Sequence, residues 1–159
     1  MNHTITPEQT TALANTFKYM KSDVKEICFA NNNMNDKQFA DLLTHMTQDP
    51  KQFNNLHRIT YGSNNELGWL TLEVLDKFLR DKHPNFPLTH LALVNCKRRI
   101  RTIEPLLMTL NTKENHLESL IIPQQSFGKE GFGVLCKMIS QSPSFLRTLD
   151  ISWNKLFGK

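Results

Sequence analysis

The sequence predicts an α/β fold of the solenoid kind, a horseshoe segment with parallel strands on the concave face and helices on the convex face. Three observations predict it. First, the stretch 146–156 places apolar residues at Leu146, Leu149, Ile151 and Leu156, with Asn154 between the last two, which is neither a helical nor a simply alternating spacing. Second, the frame recurs. Leu117, Leu120, Ile122, Gln125 and Phe127 repeat it 29 residues earlier, and Leu88, Leu91 and Leu93 repeat it after another 29, with Cys96 in the Asn place. Leu56, Ile59, Tyr61 and Asn64 follow after a step of 32, then Val24, Ile27, Phe29, Asn32 and Met34 after a further 32. Third, apolar residues stand 18, 19 and 22 places after the starting residue of the first four frames, which is a helical spacing. A period of this size marks stacked units, because one unit alone cannot bury its apolar face.

Each part of the frame has a physical reading. Leu149 and Ile151 lie two apart, so they point to one side of a short strand. Leu146 and Leu156 fold under the same core from the turns on either side. Asn154 is expected to turn inward and bond backbone groups that a tight turn would bury unpaired.

Taken in order, residues 1–23 hold an N-terminal helix, a partial repeat or a cap that mimics one. Thr6-Pro7-Glu8 is a helix start, with a capping hydroxyl, proline in the first turn and an acid at the positive end. Leu13, Ala14 and Phe17 follow at the helical places of the missing unit. Residues 24–159 hold the repeats, starting near 24, 56, 88, 117 and 146. Unit one predicts a strand at 26–29 and a helix at 36–47 capped by Asn35 or Asp36, burying Phe39, Leu42, Leu43 and Met46. Unit two predicts a strand at 58–61 and a helix burying Val74, Leu75 and Phe78. Its turn is irregular: Leu67 comes one place late, Thr71 stands where other units carry Phe or Ile, and Trp69 is expected to close the loop. Unit three predicts a strand at 90–93 and a helix to about 111 with Ile103, Leu106, Leu107 and Leu110 inward, although Arg98 takes an apolar place that Ile100 must fill. Unit four predicts a strand at 119–122 and a helix at 129–141 burying Phe132, Leu135, Cys136 and Ile139. Between units, Pro50, Pro84 and Pro143 stop helices, and Phe53, Phe86 and Phe145 plug the next layer. In unit five Leu149 and Ile151 are expected to face solvent along one flank, so the array is expected to continue past Lys159 or to be covered by another subunit.

The order L-x-x-L-x-L-x-x-N-x-L at 146–156 resembles the leucine-rich repeat. Long helices on units of 29 to 32 residues make the chain similar to the ribonuclease-inhibitor-like subclass over residues 24–156. The irregular turns of units two and three depart from that pattern. The resemblance implies a non-catalytic protein–protein interaction module or scaffold. It leaves open a structural component of a cytoskeletal or axonemal assembly, or a regulatory accessory of a GTPase or actin-capping system.

Binding in such an array is expected on strand residues between the core positions and on the turns. Three rows result: Glu26, Arg58, His90, Ser119, Thr148; Cys28, Thr60, Ala92, Ile121, Asp150; and Ala30, Gly62, Val94, Pro123, Ser152. Val94, Ile121 and Pro123 form an apolar centre, rimmed by Arg58, His90 and Glu118, with Asp150 farther along. The same small residues are also what a crowded concave side selects. Trp153, on the turn of unit five, points away from the core, as an interface anchor or as packing for a further unit. Lys97, Arg98, Arg99 and Arg101 concentrate positive charge that suits an acidic protein surface, or is simply a solvated turn. Without interleaved aromatics or glycine, that cluster argues against nucleic acid.

Composition narrows the rest. The 159 residues suit one domain, 39% of them are hydrophobic, and a net charge of +4 names no partner class. No apolar run reaches the roughly 20 residues of a membrane span. A mostly polar N-terminus and Cys28, Cys96 and Cys136 without paired spacing suggest reduced thiols in the cytoplasm, free or cytoskeleton-associated. His57 and His90 stand on neighbouring predicted strands, but no nucleophile or carboxylate joins them, and Cys96 in a buried turn place argues against a metal site. The reading is therefore no enzyme and no cofactor.

Overall fold

The computed structural model describes residues 4–20, 23–48, 53–63, 65–82, 87–96, 103–111, 116–125, 127–141 and 145–154. Among them strands and helices alternate. The helices are α1 (Pro7–Phe17), α2 (Asp36–Gln48), α3 (Trp69–Lys82), α4 (Glu104–Leu110) and α5 (Gly128–Gln141). The strands are β1 (Glu26–Ala30), β2 (Arg58–Gly62), β3 (His90–Val94), β4 (Ser119–Ile121) and β5 (Thr148–Asp150). All five strands lie in one sheet, in chain order and parallel. Parallel neighbours need a crossover, and one helix supplies each.

The register follows the frame. Ile27, Ile59, Leu91, Leu120 and Leu149 stand opposite one another across the sheet, and Phe29, Tyr61 and Leu93 form a second core rung. All of these except the exposed Leu149 share one core with Leu42, Leu43 and Met46 of α2, Leu75 and Phe78 of α3 and Leu106, Leu107 and Leu110 of α4. Consecutive helices pack side by side, α1 on α2 through to α4 on α5. The Phe39 ring stacks on Tyr61 at 3.8 Å, and the Tyr61 hydroxyl donates to the Glu66 carbonyl at 2.5 Å. Burial pushes the Tyr61 phenol well above its ordinary pKa.

Local rules explain the helix starts. Thr6 and Gln9 form a capping box on α1, and Asn35 and Gln38 form the equivalent pair on α2, each with reciprocal backbone bonds. The neighbouring Asp36 serves α3 instead. Its carboxylate accepts N–H groups of Gly68 (2.9 Å), Leu70 (3.1 Å) and Thr71 (3.0 Å), at the positive end of that helix. Thr71 is polar where other units are apolar because its hydroxyl donates to the Asp36 carbonyl at 3.0 Å.

Several expectations are corrected. Cys136 and Ile139 are exposed, not buried; Met138 and Gly131 turn inward beside Leu135. The equivalent places in the earlier units, Leu43 and Met46, Leu75 and Phe78, Leu107 and Leu110, are buried, and no further helix follows α5 among the described residues. Trp69 does not close the loop: it opens α3 and is 59% exposed. Asn64 lies outside the described residues, and the buried turn amide of unit two is Asn65, one place later, in step with the late Leu67. Pro50, Pro84, Phe86, Ile100, Pro143 and Leu156 also lie outside them.

Candidate functional site

The strands put alternate side chains on the face away from the helices. Register aligns Glu26, Arg58, His90, Ser119 and Thr148 in one row and Cys28, Thr60, Ala92, Ile121 and Asp150 in the next. Arg58, His90, Val94, Ile121 and Asp150 are each half-buried. Three residues expected in these rows are withdrawn from the exposed face. Ser119 and Pro123 are buried. Gly62 is buried too, with φ of 142° and an added Cβ only 1.7 Å from the Val94 carbonyl oxygen, so β3 crosses where any side chain would stand.

Charge on this face is locally arranged. The Glu26 carboxylate meets Arg58 Nε at 3.4 Å and His57 Nε2 at 3.3 Å, bringing His57 to the first rung beside β1. His90 Nδ1 lies 2.8 Å from the Thr89 hydroxyl, which itself donates to the His57 carbonyl at 3.1 Å, linking the start of β3 to the residue before β2. Asp150 Oδ1 accepts the Ser152 N–H at 2.9 Å, and that backbone bond, then the Ser152 side chain, holds its carboxyl below the usual range.

The turns after the strands form a second ordered row. Asn31, Ser63, Asn95, Gln124 and Trp153 all have positive φ, between 49° and 62°, and occupy the same place in the five frames. Trp153 is the one bulky side chain among them and is 84% exposed. Beneath them, turn amides tie units two, four and five to the unit before: Asn65 to the Phe29 carbonyl, Gln125 to the Leu93 carbonyl (3.3 Å) and Asn154 to the Ile122 carbonyl (2.8 Å). Cys96 is half-buried, not fully buried as expected, and its sulfur reaches only the carbonyl of Val94 in its own unit. Burial pushes its thiol up to about 12, so it is no nucleophile near neutral pH. Arg98, Arg99 and Arg101 lie outside the described residues.

Among the described residues no three His, Cys, Asp or Glu side chains come together as metal ligands, and no helix is long and apolar enough to cross a membrane. A cleft of about 370 Å³ between α1 and α2 escaped the sequence reading; Thr10, Lys37, Gln38, Asp41 and His45 line it. Only the side-by-side packing of two helices creates it, so no local pattern announces it. No family model matches the chain, and no curated protein matches it.

Proposed function

We propose that this chain is a non-catalytic protein-binding module, a leucine-rich repeat solenoid of the ribonuclease-inhibitor-like kind that receives a protein partner on its sheet face. One observation carries the reading: the register brings Arg58 and His90, Ala92 and Ile121, and then Asp150 into adjacent rungs of a half-exposed face. An apolar centre at Val94 and Ile121 with a polar rim is the composition of a protein interface rather than of a catalytic pocket. Arg58 favours an acidic partner surface, to which Arg98, Arg99 and Arg101 would add steering.

The test is proximity cross-linking of the full-length chain in its cell, for the native sequence and for the double variant Arg58→Glu, Ile121→Glu. A protein neighbour captured by the native chain and lost from the variant is expected. Turnover of a small molecule with no protein neighbour would overturn the reading. A second reading, a built-in component of a larger assembly, draws support from the exposure of Ile139, Phe145 and Leu149. It predicts a chain that needs its neighbours to stay in solution, whereas a free scaffold purifies as a soluble monomer.

A further inference from the structure

The cleft between α1 and α2 owes its space to small side chains. Ala14 holds the place that Leu43, Leu75 and Leu107 take in the units that follow, and Thr10, one turn earlier, holds that of Phe39 and Ile103. All five of those larger residues are fully buried. The two helices still pack side by side, so the missing volume remains as an opening of about 370 Å³, within the range of small-molecule pockets. Its walls are Pro7 to Ala14 of α1 and Asn35 to His45 at the head and body of α2.

The polar groups at the floor are already engaged. The buried Thr10 hydroxyl donates to the Thr6 carbonyl (3.0 Å) and accepts from Gln38 Nε2 (3.2 Å), which also donates to the Ile5 carbonyl (2.9 Å). Gln38 Oε1 accepts the Asn35 N–H at 2.9 Å, and the Thr11 hydroxyl donates to the Pro7 carbonyl at 3.0 Å. Three groups on the α2 wall are not. Lys37, Asp41 and His45 stand four residues apart along one side of the helix, with a rise of about 6 Å at each step. Lys37 and Asp41 are exposed, and neither side chain has an ion-pair or hydrogen-bond partner among the described residues. His45 is half-buried, and its Nδ1 is shut off from water with no partner among the described residues, a costly state for a polar atom.

The order of these three groups sets the chemistry of an occupant. An anion would pair with Lys37 and stand against Asp41, and a cation would do the reverse, so a ligand of one sign leaves a like charge facing it. A ligand that carries both charges side by side answers both. Side chains four residues apart on a helix converge on one spot, as an ammonium and a carboxylate on a single carbon require. The rest of the ligand then has one further turn, about 6 Å, to run before it meets His45. We propose that the α1–α2 cleft binds a free α-amino acid with a polar side chain. Its carboxylate sits on Lys37, its ammonium group on Asp41 and its side-chain polar group on the His45 imidazole, while Pro7 and Ala14 receive its methylenes. The cleft lies among the helices and not on the outer face of the sheet, so it does not depend on the protein-binding surface proposed above.

L-Glutamine is the probe, because its amide both donates and accepts and so suits either tautomer of His45. Titrated into the full 159-residue chain and read by calorimetry, it should bind saturably with a Kd of about 0.1–1 mM, in keeping with a ligand of about ten heavy atoms. N-acetyl-L-glutamine lacks the ammonium charge and L-norvaline lacks the side-chain amide, and each should bind at least about tenfold more weakly. Asp41→Asn and Lys37→Gln change exposed, unpaired side chains and should weaken glutamine binding by a similar factor, with the melting transition unchanged. Ala14→Leu restores the residue of the later units, fills the cleft and should abolish binding; Asp41→Asn decides the matter if that variant does not fold. Absence of saturable binding, equal binding of N-acetyl-L-glutamine, or indifference to Asp41→Asn would overturn the proposal. Inorganic phosphate binding as tightly as glutamine would overturn it in favour of a simple anion site at Lys37.

Discussion

Ile27 and Leu149 hold the same place in the first and last strands, yet Ile27 is 7% exposed and Leu149 is 38% exposed. The frame around them is the same; their neighbours differ. On the β1 side, α1 packs on α2, and the Phe17 ring meets Phe53 edge-on at 5.7 Å. Ile5, Leu13 and Met20 pack against the same core. On the β5 side, α5 turns Ile139 and Cys136 to solvent. A strand position in a stacked sheet is therefore apolar by its frame but buried only by what lies next to it.

The comparison is broken most easily at its core rung. Leu91→Ala should lower unfolding free energy by about 2–5 kcal/mol, as cavity formation in a closed site does, and Leu149→Ala by less than about 1 kcal/mol. Urea denaturation of both variants checks this, and equal losses would mean that the edge is as closed as the interior. The turn amides sharpen it further. Asn65 is fully buried and meets the Phe29 carbonyl and the Met34 N–H, so Asn65→Ala should cost about 1–3 kcal/mol. The half-buried Asn154, replaced likewise, should cost about 1 kcal/mol or less in the same assay.

A smaller effect is expected at the covered edge. Thr6→Ala removes the cap of α1 and should cost about 1 kcal/mol, with faster hydrogen exchange in β1 than in β3. Exchange rising equally in both strands would show that α1 does not protect β1 in particular. The smallest effect at neutral pH belongs to Cys96. Its thiol is favoured in the neutral form by burial, so this contribution to stability is complete below the ordinary thiol value of 9.0 and is lost as pH rises towards about 12. At pH 8 a thiol reagent should label the exposed Cys28 and Cys136 well before Cys96 in the native chain, as mass spectrometry would show. Labelling of Cys96 at their rate would contradict its burial.

The strand register was legible in the sequence because side chains alternate with period two, and five phased frames leave one way to align Ile27, Ile59, Leu91, Leu120 and Leu149. The same periodicity put Arg58, His90, Ile121 and Asp150 on the outer face. What escaped depends on the neighbouring unit rather than on the unit itself. Gly62 is shaped by the approach of β3, and Asp36 answers to a helix 32 residues on. Cys136 and Ile139 were misplaced because their burial depends on a neighbouring helix, which a periodic pattern assumes. The amide at Asn65 was missed by one place because a late Leu67 displaces the whole turn, a shift that apolar spacing reports only indirectly.

Asp36 has a wider consequence. One carboxylate at the head of α2 holds three amides at the head of α3, and the α2 backbone accepts the Thr71 hydroxyl. The two helices therefore cannot fray independently at these ends, and units one and two should open as a single cooperative block.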